Sequence, residues 1–299
     1  MVHKSGFVNI IGRPNVGKST LMNALVGEKM SIITNKPQTT RHRIFGILSG
    51  EDFQIVFSDT PGVIRNPSYK MHEVMNSFVN TTFEDADIML FVTDPTEKYD
   101  ADDPIITKLK QVEVPLFLIL NKIDTTDQVK VTELLTQWTD LVPFTRMIAV
   151  SALHKAGTAG LLQIIRDTLP EGPEYFPKDQ LTDRSERFFV AEIIREKILE
   201  QYEQEVPYSA EVAIESFKET TTNKGEPLAR IYAMIYVGRK AHQAILIGKN
   251  GDAIKRLGTE ARKDIETFLD SKVFLELTVK VRENWRDDEQ ALKRFGYEG

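Results

Sequence analysis

The sequence of 299 residues contains no cysteine. This absence excludes a disulfide framework, a thiolate metal site and a cysteine nucleophile, so any catalysis must use oxygen, nitrogen or a bound ion. No segment approaches the roughly 18 consecutive apolar residues that cross a bilayer, and residues 1–6 carry no signal-peptide core. We therefore expect a cytoplasmic protein that does not span a membrane. Internal repeats and heptad runs are also missing, and the length fits two domains.

The net charge of −6 excludes a chain that is basic throughout. Residues 230–263 depart from this average, because eight basic side chains face only Asp252 and Glu260, which gives the stretch a local charge of +6. A basic patch in an acidic protein indicates a localised anionic partner.

Six short apolar runs alternate with amphipathic stretches in the first half of the chain, at residues 7–11, 43–48, 53–58, 88–93, 116–120 and 147–150. Runs that are apolar on both faces and separated by helical patterns predict a mainly parallel sheet covered by helices, an α/β fold. Only four residues, 49–52, join the second run to the third, which is too short for a parallel crossover. We expect those two strands to be antiparallel, with one of them at a sheet edge.

A proline-containing stretch at residues 169–177 separates this half from a different pattern. We place one domain at residues 1–170, a linker at 171–183 and a second domain at 184–299. The second domain shows a helix, two strands, two helices and a strand, at residues 184–204, 210–217, 228–237, from 240, from 252 and 273–281. That order predicts an α+β fold unlike the first half.

One segment of the first domain matches a phosphate-binding loop, because a strand leads into a glycine, four further residues and Gly-Lys-Ser. The segment consists of Gly12, Arg13, Pro14, Asn15, Val16, Gly17, Lys18 and Ser19, followed by Thr20. Glycines let successive amide groups curl around a phosphate at a helix N-terminus. Lys18 is predicted to neutralise the β- and γ-phosphates, and Ser19 to bind Mg²⁺.

Two further segments can complete a magnesium site. The first consists of Asp59, Thr60, Pro61 and Gly62. It follows a strand, so the Asp59 carboxylate should support Mg²⁺ and the Gly62 N–H should reach the γ-phosphate. The second is a polar stretch at residues 34–42 that could close on Mg²⁺ only when a γ-phosphate is present. Its ligand is predicted to be Thr40, with Thr39 as the alternative.

A third segment at the end of a strand indicates which base is bound. It consists of Asn121, Lys122, Ile123 and Asp124. The Asp124 carboxylate can accept hydrogen bonds from guanine N1–H and the exocyclic amine, two donors that adenine does not present together. Asn121 is predicted to brace the loops and Lys122 to lie along the base. The last strand is followed by Ser151, Ala152 and Leu153, where the Ala152 N–H can bond guanine O6.

The second domain contains a Gly-X-X-Gly loop between two helical patterns, within the basic stretch. The loop and its neighbours are Ile247, Gly248, Lys249, Asn250, Gly251, Lys255 and Arg256. A lone loop of this pattern is more often a plain turn, but the order of elements and the basic excess favour a KH-type domain, which clamps about four nucleotides of single-stranded RNA. The two lysines and Arg256 are predicted to bind phosphates, and Ile245, Ile247 and Ile254 to form a floor for bases.

The ordered motifs resemble those of translation-factor-related GTPases, and the whole chain is similar to the Era family of bacterial GTPases. Further marks of this resemblance are QTTRHR at 38–43, the stretch 188–197, EARKD at 260–264 and the closing stretch 285–297. The resemblance implies a P-loop GTPase domain followed by a KH type II domain, and binding of GTP or GDP with Mg²⁺. It also implies a monomer that binds the 3′ end of 16S rRNA and the 30S subunit during assembly, with some peripheral association with the inner membrane.

Hydrolysis of GTP is expected to be slow. Many GTPases place a glutamine after the glycine of Asp-X-X-Gly to orient water, but Val63 and Ile64 follow Gly62, and neither side chain forms hydrogen bonds. Asn15 matches the asparagine that holds K⁺ in related GTPases, so the resemblance implies that K⁺ takes the place of an arginine finger.

Two alternatives remain open from the sequence. A metabolic or transport P-loop NTPase would bind ATP comparably, which Asn121 and Asp124 argue against. A membrane-associated regulatory GTPase would instead use its second domain to dock a protein or anionic lipid through the basic patch. We also expect the GTP state and RNA binding to be coupled through the linker between the domains.

Overall fold

The structure, a computed structural model, describes residues 2–64 and 66–297. Its contacts divide the chain into two compact units. The first holds the chain up to Asn66 together with Met75–Asp183, and the second holds Pro67–Val74 together with the chain from Arg184 onward. Each unit has its own sheet and its own apolar core.

The first unit is built on one six-stranded sheet. Its strands are β1 Lys4–Ile11, β2 Ile44–Ser49, β3 Phe53–Asp59, β4 Ile88–Thr93, β5 Leu116–Leu120 and β6 Arg146–Ala149. Its helices are α1 Lys18–Val26, α2 Lys70–Thr81, of which the first residues are grouped with the second unit, α3 Pro104–Leu109, α4 Gln128–Leu141 and α5 Thr158–Thr168. The strand order is β2-β3-β1-β4-β5-β6. Every neighbouring pair is parallel except β2 with β3, which confirms the predicted antiparallel strand at an edge.

The central strands explain why this sheet was predictable. Every residue of β4 and of β5 is buried. Strands buried on both faces must be apolar throughout, and this pattern requires helices on both sides of a parallel sheet. Because the carboxyl ends of parallel strands meet at one edge, the loops after β1, β3, β4 and β5 lie near one another, where ligands bind in such folds.

The segment predicted as a linker lies along the first unit. Its prolines do stop α5, but the residues beyond them hydrogen-bond to the edge strand β2. Ile47 N donates to Leu181 O at 2.8 Å, and Phe45 N donates to Asp183 Oδ1 at 3.1 Å. The contacts therefore place the break between the units after Asp183, and residues 171–183 cover an otherwise open sheet edge.

The second unit has three strands with helices packed on the sheet. Its elements are α6 Glu186–Gln201, α7 Val206–Ser209, β7 Ala210–Thr221, β8 Pro227–Val237, α8 Lys240–Ile247, α9 Asp252–Leu269, β9 Lys272–Val281 and α10 Glu289–Arg294. β8 lies in the middle, antiparallel to β7 and parallel to β9. The predicted order of a helix, two strands, two helices and a strand is present, with α7 and α10 added. Val190, Ile231, Leu257 and Ile265 are among the residues of its core.

Residues 285–297, which the sequence did not divide into elements, are anchored by buried side chains. Trp285 is 1% exposed, and its Nε1 donates to Ser209 O at 3.0 Å. The Tyr297 hydroxyl donates to Glu211 Oε2 at 2.7 Å. These bonds hold the closing segment against the start of β7. Among residues 2–64 and 66–297, no helix combines the length and the apolar character that a membrane span needs.

Candidate functional site

The phosphate loop connects β1 to α1 through backbone conformations that favour glycine. Gly12 has φ +152° and Gly17 has φ +93°. A Cβ atom at Gly17 would lie 2.3 Å from Asn121 Nδ2, and one at Gly12 would lie 2.3 Å from Val92 O. Both glycines are therefore required for the close approach of the loop to its neighbours, and Asn15 between them also has a positive φ of 65°.

Lys18 begins α1, and its side chain turns back into the loop. Its Nζ donates to Gly12 O at 3.1 Å and to Arg13 O at 3.0 Å. Burial lowers the pKa of this ammonium to about 8, although the nearby Asp59 carboxylate acts in the opposite direction. A buried cation held mainly by neutral carbonyl groups is suited to meet the charge of a phosphate.

The three predicted magnesium ligands lie together. Ser19 Oγ donates to Asp59 Oδ2 at 2.6 Å and lies 2.9 Å from Thr40 Oγ1, which is 3.4 Å from the same carboxylate oxygen. Burial raises the pKa of the Asp59 carboxyl, against the effects of Lys18 and Ser19. The other oxygen, Asp59 Oδ1, is buried and has no hydrogen-bond partner among the described residues. This set of hydroxyl and carboxylate oxygens fits Mg²⁺, which takes its remaining ligands from water and from the phosphates of the substrate.

The hydroxyl groups of the two candidate threonines, Thr39 and Thr40, have different partners. Thr39 Oγ1 donates to Lys36 O at 2.6 Å and lies 2.7 Å from Thr34 Oγ1, so it forms bonds within its own loop. Thr40, by contrast, lies beside Ser19, and its role as a magnesium ligand stays a prediction.

The residues after β3 are held against the phosphate loop. Thr60 Oγ1 donates to Ile10 O at 3.0 Å. A Cβ atom at Gly62 would lie 2.6 Å from Pro14 Cγ, so the two loops approach as closely as a glycine allows. Pro61, between Thr60 and Gly62 in the chain, is buried. Gly62 also lines the cavity into which the phosphate loop opens, and its contact with a γ-phosphate stays a prediction.

Val63 and Ile64 follow Gly62, and the backbone of Ile64 is held by the side chain of Asn76. Ile64 N donates to Asn76 Oδ1 at 3.0 Å, and Asn76 Nδ2 donates to Ile64 O at 2.9 Å. Val63 lines a separate cavity of about 240 Å³. Neither apolar side chain can orient a water molecule by hydrogen bonding.

Asn121 connects the loops as predicted. Its Nδ2 donates to Val16 O at 2.9 Å, and its Oδ1 accepts a hydrogen bond from Ala152 N at 3.0 Å. The second bond modifies the prediction for Ala152, because the N–H expected to face guanine O6 is engaged with Asn121. A contact with O6 would require this N–H to be shared or released.

Asp124 presents its carboxylate to the cavity. Its side chain is 27% exposed, and Oδ1 accepts a hydrogen bond from Ser151 Oγ at 2.5 Å. That hydrogen bond lowers the pKa of the Asp124 carboxyl, with a smaller contribution from His154, whose Nε2 lies 3.9 Å from Oδ2. The group is therefore ionised, which is the form that accepts two donors from guanine.

Lys122 makes contacts that the sequence did not predict. Its Nζ donates to Asn15 O at 2.6 Å and to Asp94 Oδ2 at 2.7 Å, so the side chain links the base loop to the phosphate loop. Burial opposes ionisation of Asp94, but hydrogen bonds from Lys122 and Thr96 lower the pKa of this carboxyl below its usual range. The only signal for Asp94 in the sequence is its position directly after a buried strand.

Arg13 points away from the phosphate site. Its guanidinium donates to Glu97 Oε2 and Asp103 Oδ2, both at 2.6 Å, and lies 3.9 Å from the centre of the Tyr99 ring. The Arg13 side chain therefore ties the phosphate loop to the start of α3 and does not face the predicted phosphate site.

A cavity of about 540 Å³ lies where these segments meet. It is lined by residues within 14–20 and 32–40, by Gly62 and Leu153, and by residues within 121–125. Its volume is in the range of pockets that enclose a small ligand. Members of the predicted phosphate, magnesium and base segments thus line one space, whereas Gly12 and Arg13 line the separate cavity beside Val63.

The Gly-X-X-Gly loop of the second unit lies between α8 and α9. Gly248 has φ +73° and Gly251 has φ +81°, and Asn250 between them also has a positive φ of 56°. A Cβ atom at Gly248 would lie 2.5 Å from Ala253 Cβ, whereas one at Gly251 would meet nothing within 4 Å. Gly248 is therefore restricted by both conformation and space, and Gly251 by conformation alone.

The basic residues of the stretch 230–263 differ in whether they form ion pairs. Lys249, Lys255 and Arg256 are exposed, and none of them belongs to an ion pair within the described part of the chain. Arg262 and Lys263 are instead paired with acidic residues of α9. Arg230, Arg239 and Lys240 of the same basic stretch are likewise exposed and outside any ion pair among the described residues, so three of the six cations that can meet an external anion lie beside the loop.

The predicted apolar floor is only partly available. Ile247 and Ile254 are half-buried and pack against the core of the second unit. Ile245 is 51% exposed.

Each of the two units matches a known protein family. Residues 7–122 match the family described as 50S ribosome-binding GTPase, and residues 205–286 match the KH domain family. GTPase Era of Alkaliphilus metalliredigens is 47% identical over 299 residues, which is all of both chains. The chain belongs to the Era family of GTPases.

Two solved Era structures have the same fold over the full length. A variant of Aquifex aeolicus Era bound to GDP and AlF4⁻ matches with a TM-score of 0.92 and 36% identity, covering 99% of this chain and 100% of that one. Era in complex with MgGDPNP and nucleotides 1506–1542 of 16S ribosomal RNA matches with a TM-score of 0.93, the same identity and the same coverage. As an Era GTPase, the chain binds and hydrolyses GTP with Mg²⁺.

Proposed function

We propose that this Era GTPase binds single-stranded rRNA at the 3′ end of 16S rRNA through its KH domain, and acts as a GTP-dependent switch in assembly of the 30S subunit. The observation that carries the proposal is the cluster of exposed, unpaired basic side chains beside the Gly-X-X-Gly loop: Lys249, Lys255 and Arg256. The related Era structure that contains nucleotides 1506–1542 of 16S ribosomal RNA supports the choice of RNA.

The loop geometry suits a phosphodiester chain. Glycines with positive φ at both ends expose the backbone, so a nucleic acid strand can approach it more closely than a side chain would allow. The neighbouring cations then bind phosphate oxygens, while the exposed Ile245 provides apolar surface for a base. Ile247, which is half-buried, would support that surface from below.

Charge reversal at the loop should weaken RNA binding. In Lys249→Asp/Lys255→Asp we expect the affinity for a single-stranded RNA with the sequence of the 16S 3′ end to fall by about 10- to 100-fold, because two phosphate contacts are lost. The slope of log affinity against log salt should become shallower by about 1.4 for the same reason. Fluorescence anisotropy titrations at several salt concentrations measure both quantities.

The matched control is Lys218→Asp/Lys224→Asp, which makes the same charge change at exposed positions away from the loop. It should leave both quantities within about twofold of the unmodified protein. Substitution of Gly248 is unsuitable, since its conformation and its contact with Ala253 would disturb the fold itself. Equal losses in the two double variants would contradict the proposal. Failure to bind RNA combined with binding to vesicles of anionic lipid would favour the membrane-associated alternative.

The hydrolysis site supports a slow switch. Lys18 and Mg²⁺, which Ser19, Thr40 and Asp59 would hold, supply positive charge for phosphoryl transfer. The two residues directly after Gly62, Val63 and Ile64, have no hydrogen-bonding side chain to orient the attacking water. Turnover would therefore depend on positioning by the backbone and on charge supplied from elsewhere.

We infer that K⁺ supplies part of this charge at Asn15. Asn15 Nδ2 donates to Asn35 O at 3.2 Å, so its side chain lies beside a carbonyl oxygen of the loop that lines the cavity. Amide and carbonyl oxygens are suitable ligands for an alkali cation. Such a cation near the phosphates would take the role that an arginine finger has in other GTPases.

Potassium should therefore accelerate hydrolysis. At equal ionic strength we expect the GTPase rate to be at least about tenfold higher in K⁺ than in Na⁺. The variant Asn15→Gly, which tolerates the positive φ and keeps the carbonyl bonded to Lys122, should show equal rates in both salts. Phosphate release assays measure these rates. A rate of the unmodified protein that is the same in both salts would refute the role of K⁺.

A further inference from the structure

Asp94 is a buried carboxylate immediately after β4, and the phosphate, magnesium and base motifs do not include it. The residue is 5% exposed. Its Oδ1 accepts hydrogen bonds from Thr96 N at 2.9 Å and Thr96 Oγ1 at 2.6 Å, while Oδ2 accepts one from Lys122 Nζ at 2.7 Å. The two bonds from Thr96 fix the orientation of the carboxylate, so Oδ2 is aimed at the ammonium of Lys122.

We propose that Asp94 is a positioning residue of the GTP site, which acts by holding Lys122 between the base loop and the phosphate loop. Lys122 has a left-handed backbone conformation with φ 59°, and its side chain is 38% exposed. A lysine side chain with that much exposure has several accessible rotamers, and each hydrogen bond that fixes it reduces this freedom. Asp94 supplies the only charged partner of Lys122 within the described residues.

The position of the Lys122 ammonium also affects the phosphate loop, because Lys122 is bonded to Asn15. With its ammonium on Asp94, Lys122 donates at 2.6 Å to Asn15 O, the carbonyl of a residue with an unusual positive φ. The bond stabilises the curled loop whose amide groups surround phosphate. Without Asp94, the ammonium has only a neutral carbonyl as a partner on a half-open surface. The loop and the base motif then lose their fixed spacing.

Asp94 does not face the reacting atoms, which distinguishes it from a catalytic residue. It stabilises the loop equally whether GTP or GDP is bound, and an interaction that is equal in ground and transition states changes KM but not kcat. Asp94 should therefore control the residence time of both nucleotides and leave the chemical step unchanged.

The most informative variant is Asp94→Asn. Its amide oxygen can still accept both bonds from Thr96, but its NH2 group cannot pair with an ammonium, so the substitution removes only the interaction with Lys122. We expect GDP and a non-hydrolysable GTP analogue to dissociate about 10- to 100-fold faster, in line with the loss of a charge-assisted hydrogen bond. KM for GTP should rise by a similar factor, and kcat at saturating GTP should stay within about twofold. Asp100→Asn, an exposed aspartate of the same loop, is the matched control and should change neither value.

A double-mutant cycle tests whether Asp94 acts through Lys122. Lys122→Met keeps the apolar stem and removes the ammonium, and should accelerate dissociation by itself. Adding Asp94→Asn to Lys122→Met should then have no further effect, whereas a purely structural role of Asp94 would make the two effects add. Additive effects, or unchanged dissociation in Asp94→Asn, would overturn the proposal.

Thr96→Ala provides a measurement that does not depend on altering a buried residue. Thr96 is exposed, and its hydroxyl donates to Asp94 Oδ1, so its loss should accelerate dissociation modestly, by about two- to fivefold. This effect should also disappear in the Lys122→Met background. No change in dissociation from Thr96→Ala in the unmodified background would count against the proposal.

Discussion

Replacement of Asp124 by asparagine should reduce the affinity for GTP and GDP by about 10⁴-fold, because a site built to accept two donors is left with an unmatched polar group. The hydrogen bond from Ser151 keeps the pKa of Asp124 low, so the unmodified residue accepts hydrogen bonds with both oxygens. An asparagine presents a donor in place of one acceptor. The affinity for xanthine nucleotides should rise, since xanthine carries a carbonyl oxygen where guanine carries its exocyclic amine.

The comparison variant is Asp127→Asn, the same substitution three positions further on. Asp127 caps α4 by accepting a hydrogen bond from Lys130 N at 2.8 Å, and asparagine is an equally good cap. Its nucleotide affinities should therefore stay within about twofold. Competition binding with guanine, xanthine and adenine nucleotides gives all the values. A loss of less than tenfold for GTP in Asp124→Asn would mean that this carboxylate does not read the base.

Removal of the Lys18 ammonium should have the largest effect on hydrolysis. We expect kcat for GTP in Lys18→Ala to fall by about 10³-fold, since a buried cation directed at the phosphates stabilises the charge that develops during phosphoryl transfer. The affinity for GDP should fall by a smaller factor than kcat, because GDP lacks the γ-phosphate. Single-turnover measurements of phosphate release separate the chemical step from binding.

Lys130→Ala is the control, because it removes an exposed lysine of α4 from the same unit. It should hydrolyse GTP at the unmodified rate. If kcat in Lys18→Ala were within tenfold of the unmodified protein, the charge at this position would not be the main electrostatic contribution of the chain.

The sheet and its motifs could be predicted because their signals are local. β4 and β5 are apolar throughout and too short for helices, so only buried strands fit them. The motifs follow such strands directly, and parallel strands bring their carboxyl ends to one edge. Asn121 could therefore be assigned a bracing role before its bonds to Val16 and Ala152 were known.

The side-chain partners of the site could not be predicted in the same way. Arg13 pairs with Glu97 and Asp103, which lie 84 and 90 positions away in the chain, and ordinary surface acids of a loop give no sign of such pairing. Asp94 is equally inconspicuous. The different partners of Thr39 and Thr40 also leave no signal in the sequence, because adjacent residues of an irregular loop can point to opposite sides.

The linker shows a different limit of sequence patterns. Its prolines correctly mark the end of a helix, but hydrogen bonds to a distant strand edge leave no periodic signal. Leu181 accepts a hydrogen bond from β2 through its backbone carbonyl and Asp183 through its side chain, and neither residue type marks such a contact in the sequence. The packing of residues 171–183 on the first unit was therefore less predictable than the existence of two domains.

The nucleotide preference of the purified full-length protein tests the central claim most directly. Equilibrium competition in the presence of Mg²⁺ should show that GTP and GDP bind at least about 10³-fold more tightly than ATP, since only guanine offers both donors to Asp124. Comparable affinities for ATP and GTP would contradict the account and favour a metabolic P-loop NTPase.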